Sequence, residues 1–175
     1  CTMSATEIIK FCFTETPAYQ WLRNDPKFDQ VITNRFLSVH RLAQKGLLFN
    51  WREHPLDALA EVILLDQFSR NIFPNSPKAF RLDDLALVLA QEAIRKKYDA
   101  KLTIEQRNFL YSPFMHSESK EIHEEFERVF VNGEKLNKKF LSDAKFTSEL
   151  PVNKGKDLKV KKQSKFLILH LINLK

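Results

Sequence analysis

Apolar residues recur every three to four positions along most of the first 130 residues, which is the spacing of amphipathic helices. The pattern predicts helices over residues 4–13, 26–45, 55–71, 77–97, 104–111 and about 119–131. No segment alternates apolar and polar residues for long enough to predict a strand. The chain is therefore predicted to be all-α, with antiparallel helix pairs joined by short loops.

Local signals mark the ends of these helices. Proline at the first helical position opens three of them, at Pro26, Pro55 and Pro77. Gly46 is predicted to end the second helix, and Pro113 to interrupt the chain between the last two. The predicted N-caps are Asp25, Ser76, Thr103 and either Ser117 or Ser119.

The apolar stripes of two helices predict much of the core. In the second helix the residues predicted to face inward are Phe28, Val31, Ile32, Phe36, Val39, Leu42 and Ala43. In the third helix they are Leu56, Leu59, Ala60, Ile63 and Leu64.

The charge of the chain is uneven. The whole sequence carries a net charge of +6, but residues 1–130 hold 17 Lys and Arg against 18 Asp and Glu. The excess lies in residues 131–175, which hold 11 Lys and 4 acidic residues. A helical domain over 1–131 and a Lys-rich C-terminal tail over 132–175 are therefore expected. The tail has no Arg and no interleaved aromatics, so nucleic-acid binding is not expected.

The two cysteines, Cys1 and Cys12, form no metal-binding spacing. A reducing cytoplasmic location is the natural expectation, because there is no signal-peptide pattern and no apolar run long enough to cross a membrane.

Four polar residues end the strongly apolar third helix, in the sequence LLDQFSRNIF: Asp66, Gln67, Arg70 and Asn71. Asp66 and Arg70 are four residues apart, as are Gln67 and Asn71, so each pair shares a helix face. Such a cluster binds a ligand or forms a structural network in which Asp66 pairs with Arg70.

A second polar constellation lies in EQRNFLYSPFMHSE and comprises Arg107, Tyr111, His116 and Glu118. Histidine titrates near neutral pH, so His116 is the best acid/base candidate, with Glu118 or Asp66 to orient it. The alternative is a histidine bonded to a backbone carbonyl at a helix junction. His116, Glu118 and His123 lack the spacing of a metal site, and no metal or cofactor is expected.

These two motifs, with SPKAFRLDDLALVLAQEAI between them and FCFTE and FDQVITNRF before them, resemble the bacterial family named domain of unknown function 924. The resemblance covers about residues 7–130. It implies an all-α fold similar to tetratricopeptide repeats, with a right-handed array of helices, and it implies no established activity. The family's second motif, Gly-Arg-Phe-Pro-His-Arg-Asn, is absent from this chain.

Two functions follow as hypotheses. The first is a helical-repeat-like module that binds a protein, a peptide or a small ligand. The alternative is a small-molecule enzyme in which His116, with Asp66 or Glu118, is the acid/base pair and Arg70 and Arg107 bind an anionic group. Gln67, Asn71 and Tyr111 would then add ligand contacts.

Overall fold

The computed structural model describes residues 3–133, and in this part of the chain every regular element is helical. The all-α prediction is confirmed. The α-helices are α1 (Ala5–Lys10), α2 (Pro26–Gln44), α3 (Pro55–Ile63), α4 (Ser69–Ile72), α5 (Asp83–Arg95), α6 (Ile104–His116) and α7 (Lys120–Gly133). Two π-helical segments, Phe11–Glu15 and Leu64–Phe68, continue α1 and α3. Short 3₁₀ turns span Ala18–Leu22, Phe49–Glu53, Pro77–Phe80 and Asp99–Lys101.

Helix α3 and the π segment after it form the centre of the domain. They pack against α1, α2, α5 and α6. Because neighbours cover this helix on several sides, an unbroken run of its residues is buried, from Ala58 to Asp66. The polar residues that end the helix are therefore carried into the interior with it, which is why their partners matter.

An aromatic cluster closes the N-terminal side of the core. Phe11 contacts the rings of Phe36 and Phe68, at centroid distances of 5.0 and 6.0 Å. Trp21 stands edge-on to Phe109 at 5.5 Å. These contacts hold the first π segment and the 3₁₀ turn after it against α2 and α6.

The predicted helix ends are correct where capping chemistry is local. Asp25 accepts hydrogen bonds from the amides of Lys27 and Phe28. Thr103 forms a capping box with Gln106 at the start of α6. Gly46 follows the end of α2 with φ of +71°, a left-handed conformation that favours glycine.

Two helix predictions are wrong. Pro113 does not interrupt the chain, because α6 runs through it to His116. Leu110, Tyr111 and Phe114 are all buried around Pro113, so packing compensates for the hydrogen bond that proline cannot donate.

The helix predicted over 77–97 is also divided. The Ser76 cap starts only the short 3₁₀ turn, and α5 begins afresh at Asp83 after Leu82, whose ψ of 8° departs from α-helical geometry. Two acidic residues, Asp83 and Asp84, occupy the first turn of α5, where negative charge is favoured.

The predicted core is mostly confirmed, with two exceptions. Val31 and Leu56 were placed on buried faces but are 44% and 42% exposed. Each lies at the edge of the apolar stripe of its helix, and the neighbouring helices cover only the middle of that stripe. The Lys-rich tail predicted over 132–175 lies almost wholly outside the described residues. Within residues 3–133 no helix combines the length and the hydropathy needed to cross a bilayer.

Candidate functional site

The site is built around Asp66, a carboxylate in the π segment at the centre of the domain. Asp66 is 1% exposed. The wide turn of a π segment breaks the regular α-helical ladder, and Ser69 fills this gap by donating to the carbonyl of Leu65 at 2.7 Å. Single π turns of this kind occur often at functional positions. The neighbouring helix facing Asp66 is α6.

Three side chains donate hydrogen bonds to the Asp66 carboxylate. His116 Nδ1 lies 2.7 Å from Oδ1, Ser112 Oγ donates to Oδ2 at 2.7 Å, and Arg70 Nη1 donates to Oδ1 at 2.9 Å. Ser112 and His116 are one turn apart on α6, so both reach the same carboxylate across the helix interface. Ser112 and His116 follow Asp66 in the sequence by 46 and 50 positions, and both contact this one buried charge.

Arg70 links this carboxylate to a second one. Its guanidinium binds both oxygens of Asp83, the first residue of α5, at 3.0 and 2.9 Å, and it also donates to the backbone oxygen of Asp66 at 3.0 Å. The ring of Phe80 lies 5.4 Å from the guanidinium carbon. Among the described residues, Nε of Arg70 has no hydrogen-bond partner, and it is buried. Both Nη atoms, in contrast, donate to oxygens of Asp66 and Asp83.

The charges of the cluster determine the ionisation of Asp66. Burial alone would raise the pKa of Asp66, but the positive charges of His116 and Arg70 and the hydrogen bonds from His116 and Ser112 outweigh it and hold that pKa well below its usual value. Burial raises the pKa of Asp83, and its hydrogen bond to Arg70 only partly offsets this. Asp66 is therefore an ionised acceptor at neutral pH.

An ionised Asp66 fixes the orientation and tautomer of His116. A carboxylate can only accept, so His116 Nδ1 carries the proton in this pair. Ser112 donates its own proton to Asp66, and its Oγ is 3.4 Å from Nδ1. In the neutral imidazole the lone pair is then on Nε2, which makes no hydrogen bond within residues 3–133. His116 is the last residue of α6, at the negative end of the helix dipole, and its side chain is 3% exposed.

A second chain of polar contacts lies on the neighbouring face of the same helix. Gln67 Nε2 donates to Asn71 Oδ1 at 3.0 Å, and Asn71 Nδ2 donates to Asp29 Oδ1 of α2 at 2.7 Å. Burial raises the pKa of Asp29, against the effect of its bond to Asn71. These partly buried amides lie beside the Asp66 cluster and are bound to each other and to α2.

The remaining predicted site residues lie elsewhere. Arg107 Nε donates to the carbonyl of Leu102 at 3.2 Å, and Tyr111 donates to Asp99 at 2.9 Å, near the 3₁₀ turn before α6. Glu118 is exposed and, among the described residues, makes no hydrogen bond to His116. The histidine that does meet a backbone carbonyl is His123, whose Nε2 is 2.8 Å from the oxygen of Ser117.

Sequence reasoning missed Ser112 and Asp83 as members of the cluster. Ser112 directly precedes Pro113, where the sequence predicts a helix break, although its spacing of four from His116 places the two on one face of α6. Asp83 lies across a turn and a 3₁₀ segment from Arg70, and no local pattern relates them.

A second buried histidine was also missed. His40 Nε2 lies 2.8 Å from Ser69 Oγ, and Ser69 donates its proton to Leu65. His40 therefore donates from Nε2, which leaves Nδ1 buried and without a hydrogen-bond partner in the part of the chain that the structure describes. Burial, with a smaller effect of Arg41, lowers the pKa of His40 to about 4.

A surface cleft of about 190 Å³ lies apart from this cluster, between the first π segment and the start of α6. The rings of Phe13, Trp21 and Phe109 line it, together with the side chains of Thr16 and Glu105. It could hold a small apolar or aromatic group. In the part of the chain that the structure describes, no three His, Cys, Asp or Glu residues are arranged to hold a metal ion.

The chain is similar to bacterial proteins that are described as having unknown function. The solved structure of the protein of unknown function ATU0120 from Agrobacterium tumefaciens aligns with a TM-score of 0.67 and 27% sequence identity, over 95% of this chain and 83% of that one. No curated protein matches. The family model described as bacterial protein of unknown function DUF924 matches residues 8–168, which includes most of the segment predicted to be a separate tail. The chain therefore belongs to the DUF924 family of bacterial proteins.

Proposed function

We propose that the chain is a small-molecule enzyme in which His116 is the general acid/base and Asp66 orients it. The observation that supports this most directly is the 2.7 Å contact between His116 Nδ1 and a carboxylate that is 1% exposed and held ionised. An imidazole whose Nδ1–H is bound to a carboxylate presents the lone pair of Nε2 for proton transfer.

The contacts of Asp66 with residues other than His116 support a positioning role for this carboxylate. Ser112 and Arg70 each donate to it, so the carboxylate cannot rotate away from His116 without losing two further hydrogen bonds. Preorganisation of this kind keeps a catalytic base in one tautomer and one direction. The chemistry it would serve is abstraction or return of a proton at Nε2.

The proposal requires that a substrate reach Nε2, and chemical labelling measures this. Diethyl pyrocarbonate acylates neutral imidazole nitrogen, and peptide mass spectrometry then separates the rates at individual histidines. His54 is exposed and His40 is 1% exposed, so they are internal standards for a solvent-accessible and a buried imidazole.

At pH 7 we expect His116 to react more slowly than His54 but at least about tenfold faster than His40, because a catalytic ring must open to ligand. His40 is neutral at pH 7, because its pKa is about 4, so only burial protects it from acylation. Protection of His116 equal to that of His40 would contradict the proposal and leave the cluster as a structural network.

A binding module for a protein, a peptide or a small ligand is the second candidate, and the cleft between Trp21 and Phe109 supports it. In this function the helices act as a tetratricopeptide-like scaffold in the cytoplasm. Trp21 lines the cleft, so its fluorescence should report a ligand bound there. A Trp51→Phe variant leaves Trp21 as the single tryptophan, and a ligand that quenches it should lose affinity in Glu105→Gln. Unchanged fluorescence across a set of peptides and small aromatic compounds would count against this function.

A further inference from the structure

Among the residues that the structure describes, no arginine or lysine at the Asp66–His116 site is left without a carboxylate or carbonyl partner to bind an anion. Arg70, the nearest guanidinium, donates to Asp66 and Asp83 through both Nη atoms. Its side chain is only 9% exposed. Arg107, the other arginine expected to bind an anionic group, donates to the carbonyl of Leu102 instead. An anionic ligand would have to displace a bidentate ion pair to gain a contact with Arg70, which is costly for a buried pair.

The negative partner of the Arg70–Asp83 ion pair is the one that reaches solvent. In the Arg70–Asp83 pair the carboxylate side chain is 25% exposed, against 9% for the arginine. With His116 neutral, the formal charges of Asp66, Asp83 and Arg70 sum to −1, and with His116 protonated the four groups sum to zero. In neither state does the cluster carry a net positive charge that would attract an anion, and in the first state an added cation would neutralise the excess negative charge.

Two further features point the same way. The carboxyl end of α6 is at His116, and the carbonyls that end a helix carry partial negative charge. The ring of Phe80 lies against Arg70 and is 40% exposed, which offers an apolar surface next to the exposed edge of Asp83. Lys78 and Arg81 are on the adjoining segment, but both side chains are exposed and their charges are screened by solvent.

We infer that the ligand of this site carries a positive charge, as a primary amine does, and that Asp83 accepts from the ammonium group while Phe80 contacts its apolar part. This assignment rests on the proposed function, because it names the class of substrate for His116. It replaces the anionic substrate expected from the two arginines.

Three compounds of similar shape and different charge test the inference: benzylamine, benzyl alcohol and benzoate. The readout is the shift of the His116 ring signals in NMR spectra of the full chain, titrated to about 20 mM because fragments of this size bind weakly. We expect benzylamine to shift them most, and its effect to weaken as salt is added.

Variants assign the contact. Asp83→Asn should weaken benzylamine binding by at least about fivefold, whereas Asp83→Glu, which keeps the charge, should retain most of it. Asp84→Asn removes an exposed carboxylate at the next position and should leave binding unchanged. The fold of each variant is checked from its amide spectrum.

The inference is overturned if benzoate shifts His116 more than benzylamine does, if no compound shifts it, or if Asp83→Asn binds benzylamine as the native chain does. These outcomes are separate from a failure of the proposed function, because labelling of His116 by diethyl pyrocarbonate needs no ligand. A reactive His116 with no preference for benzylamine would reject the cationic substrate alone.

Discussion

Replacement of Asp66 by Asn tests whether the buried carboxylate organises the site. The change keeps the shape of the side chain but removes its charge and turns one oxygen into a donor. His116, Ser112 and Arg70 all donate to this carboxylate. One amide oxygen cannot satisfy these donors, and the new NH₂ group faces other N–H or O–H groups.

The expected cost follows from those contacts. A hydrogen bond to a charged group contributes about 1.5–3 kcal/mol, and three such bonds are weakened together. Their losses are not additive, and Arg70 keeps Asp83 as a partner. The relevant comparison is removal of one member of a buried ion pair, which costs about 3–5 kcal/mol. We therefore expect Asp66→Asn to lower the free energy of unfolding by about 3–5 kcal/mol at pH 7.

Urea unfolding followed by far-ultraviolet circular dichroism measures this change. Asp84→Asn is the matched control, because Asp84 is exposed and its expected loss is only its favourable interaction with the N-terminus of α5, below about 1 kcal/mol. A double-mutant cycle with His116→Asn isolates the pair, and the coupling energy should exceed about 1 kcal/mol. A loss below about 1 kcal/mol for Asp66→Asn, or additive single and double variants, would refute this reasoning.

Three further predictions concern other parts of the domain. The pKa of His40 is lowered to about 4 in the folded chain, so the unfolded chain binds the extra proton between about pH 6.5 and 4 and stability falls as the pH falls. Between pH 7 and 5 the free energy of unfolding of the native chain should drop by about 2 kcal/mol more than that of His40→Gln, because the comparison cancels the contributions of other titrating groups. An equal drop in both proteins would contradict a lowered pKa of His40. Arg70→Lys should cost about 2–4 kcal/mol in urea unfolding, because an ammonium group cannot reproduce the bidentate contact with Asp83, and a neutral result would show that the fork is unimportant. Gly46→Ala should lower the free energy of unfolding by about 1 kcal/mol because the φ of Gly46 is +71°, although nothing lies within 4 Å of the added Cβ. Gly46→Asn should cost less, because Asn tolerates this conformation better, and equal losses for the two variants would exclude a conformational origin.

The fold was predictable where the determining interactions are local. The caps at Asp25 and Thr103 bind amides two or three residues away, so their sequence context contains the whole interaction. The stop at Gly46 depends on the backbone of one residue. Pro113 and the segment 77–82 were misjudged because tertiary packing sustains a helix through proline and because a cap can start a 3₁₀ turn as readily as a long helix.

The site was predictable only in part, for the same reason. The pairing of Asp66 with Arg70 follows from a spacing of four on one helix. The approach of His116 to Asp66 depends on how α6 packs against the π segment, 50 residues away in sequence. The attachment of Arg70 to Asp83 depends on the turn between α4 and α5. Sequence therefore named Asp66 and His116 as partners among alternatives, and it supplied neither Ser112 nor Asp83.

The tautomer of His116 tests the central claim most directly. Long-range ¹H–¹⁵N spectra of the imidazole nitrogens distinguish a protonated from an unprotonated ring nitrogen without any ligand or substrate. If an ionised Asp66 orients the ring, neutral His116 carries its proton on Nδ1 and its lone pair on Nε2. A neutral His116 with the proton on Nε2 would contradict the account, because the pair with Asp66 would then not exist in solution.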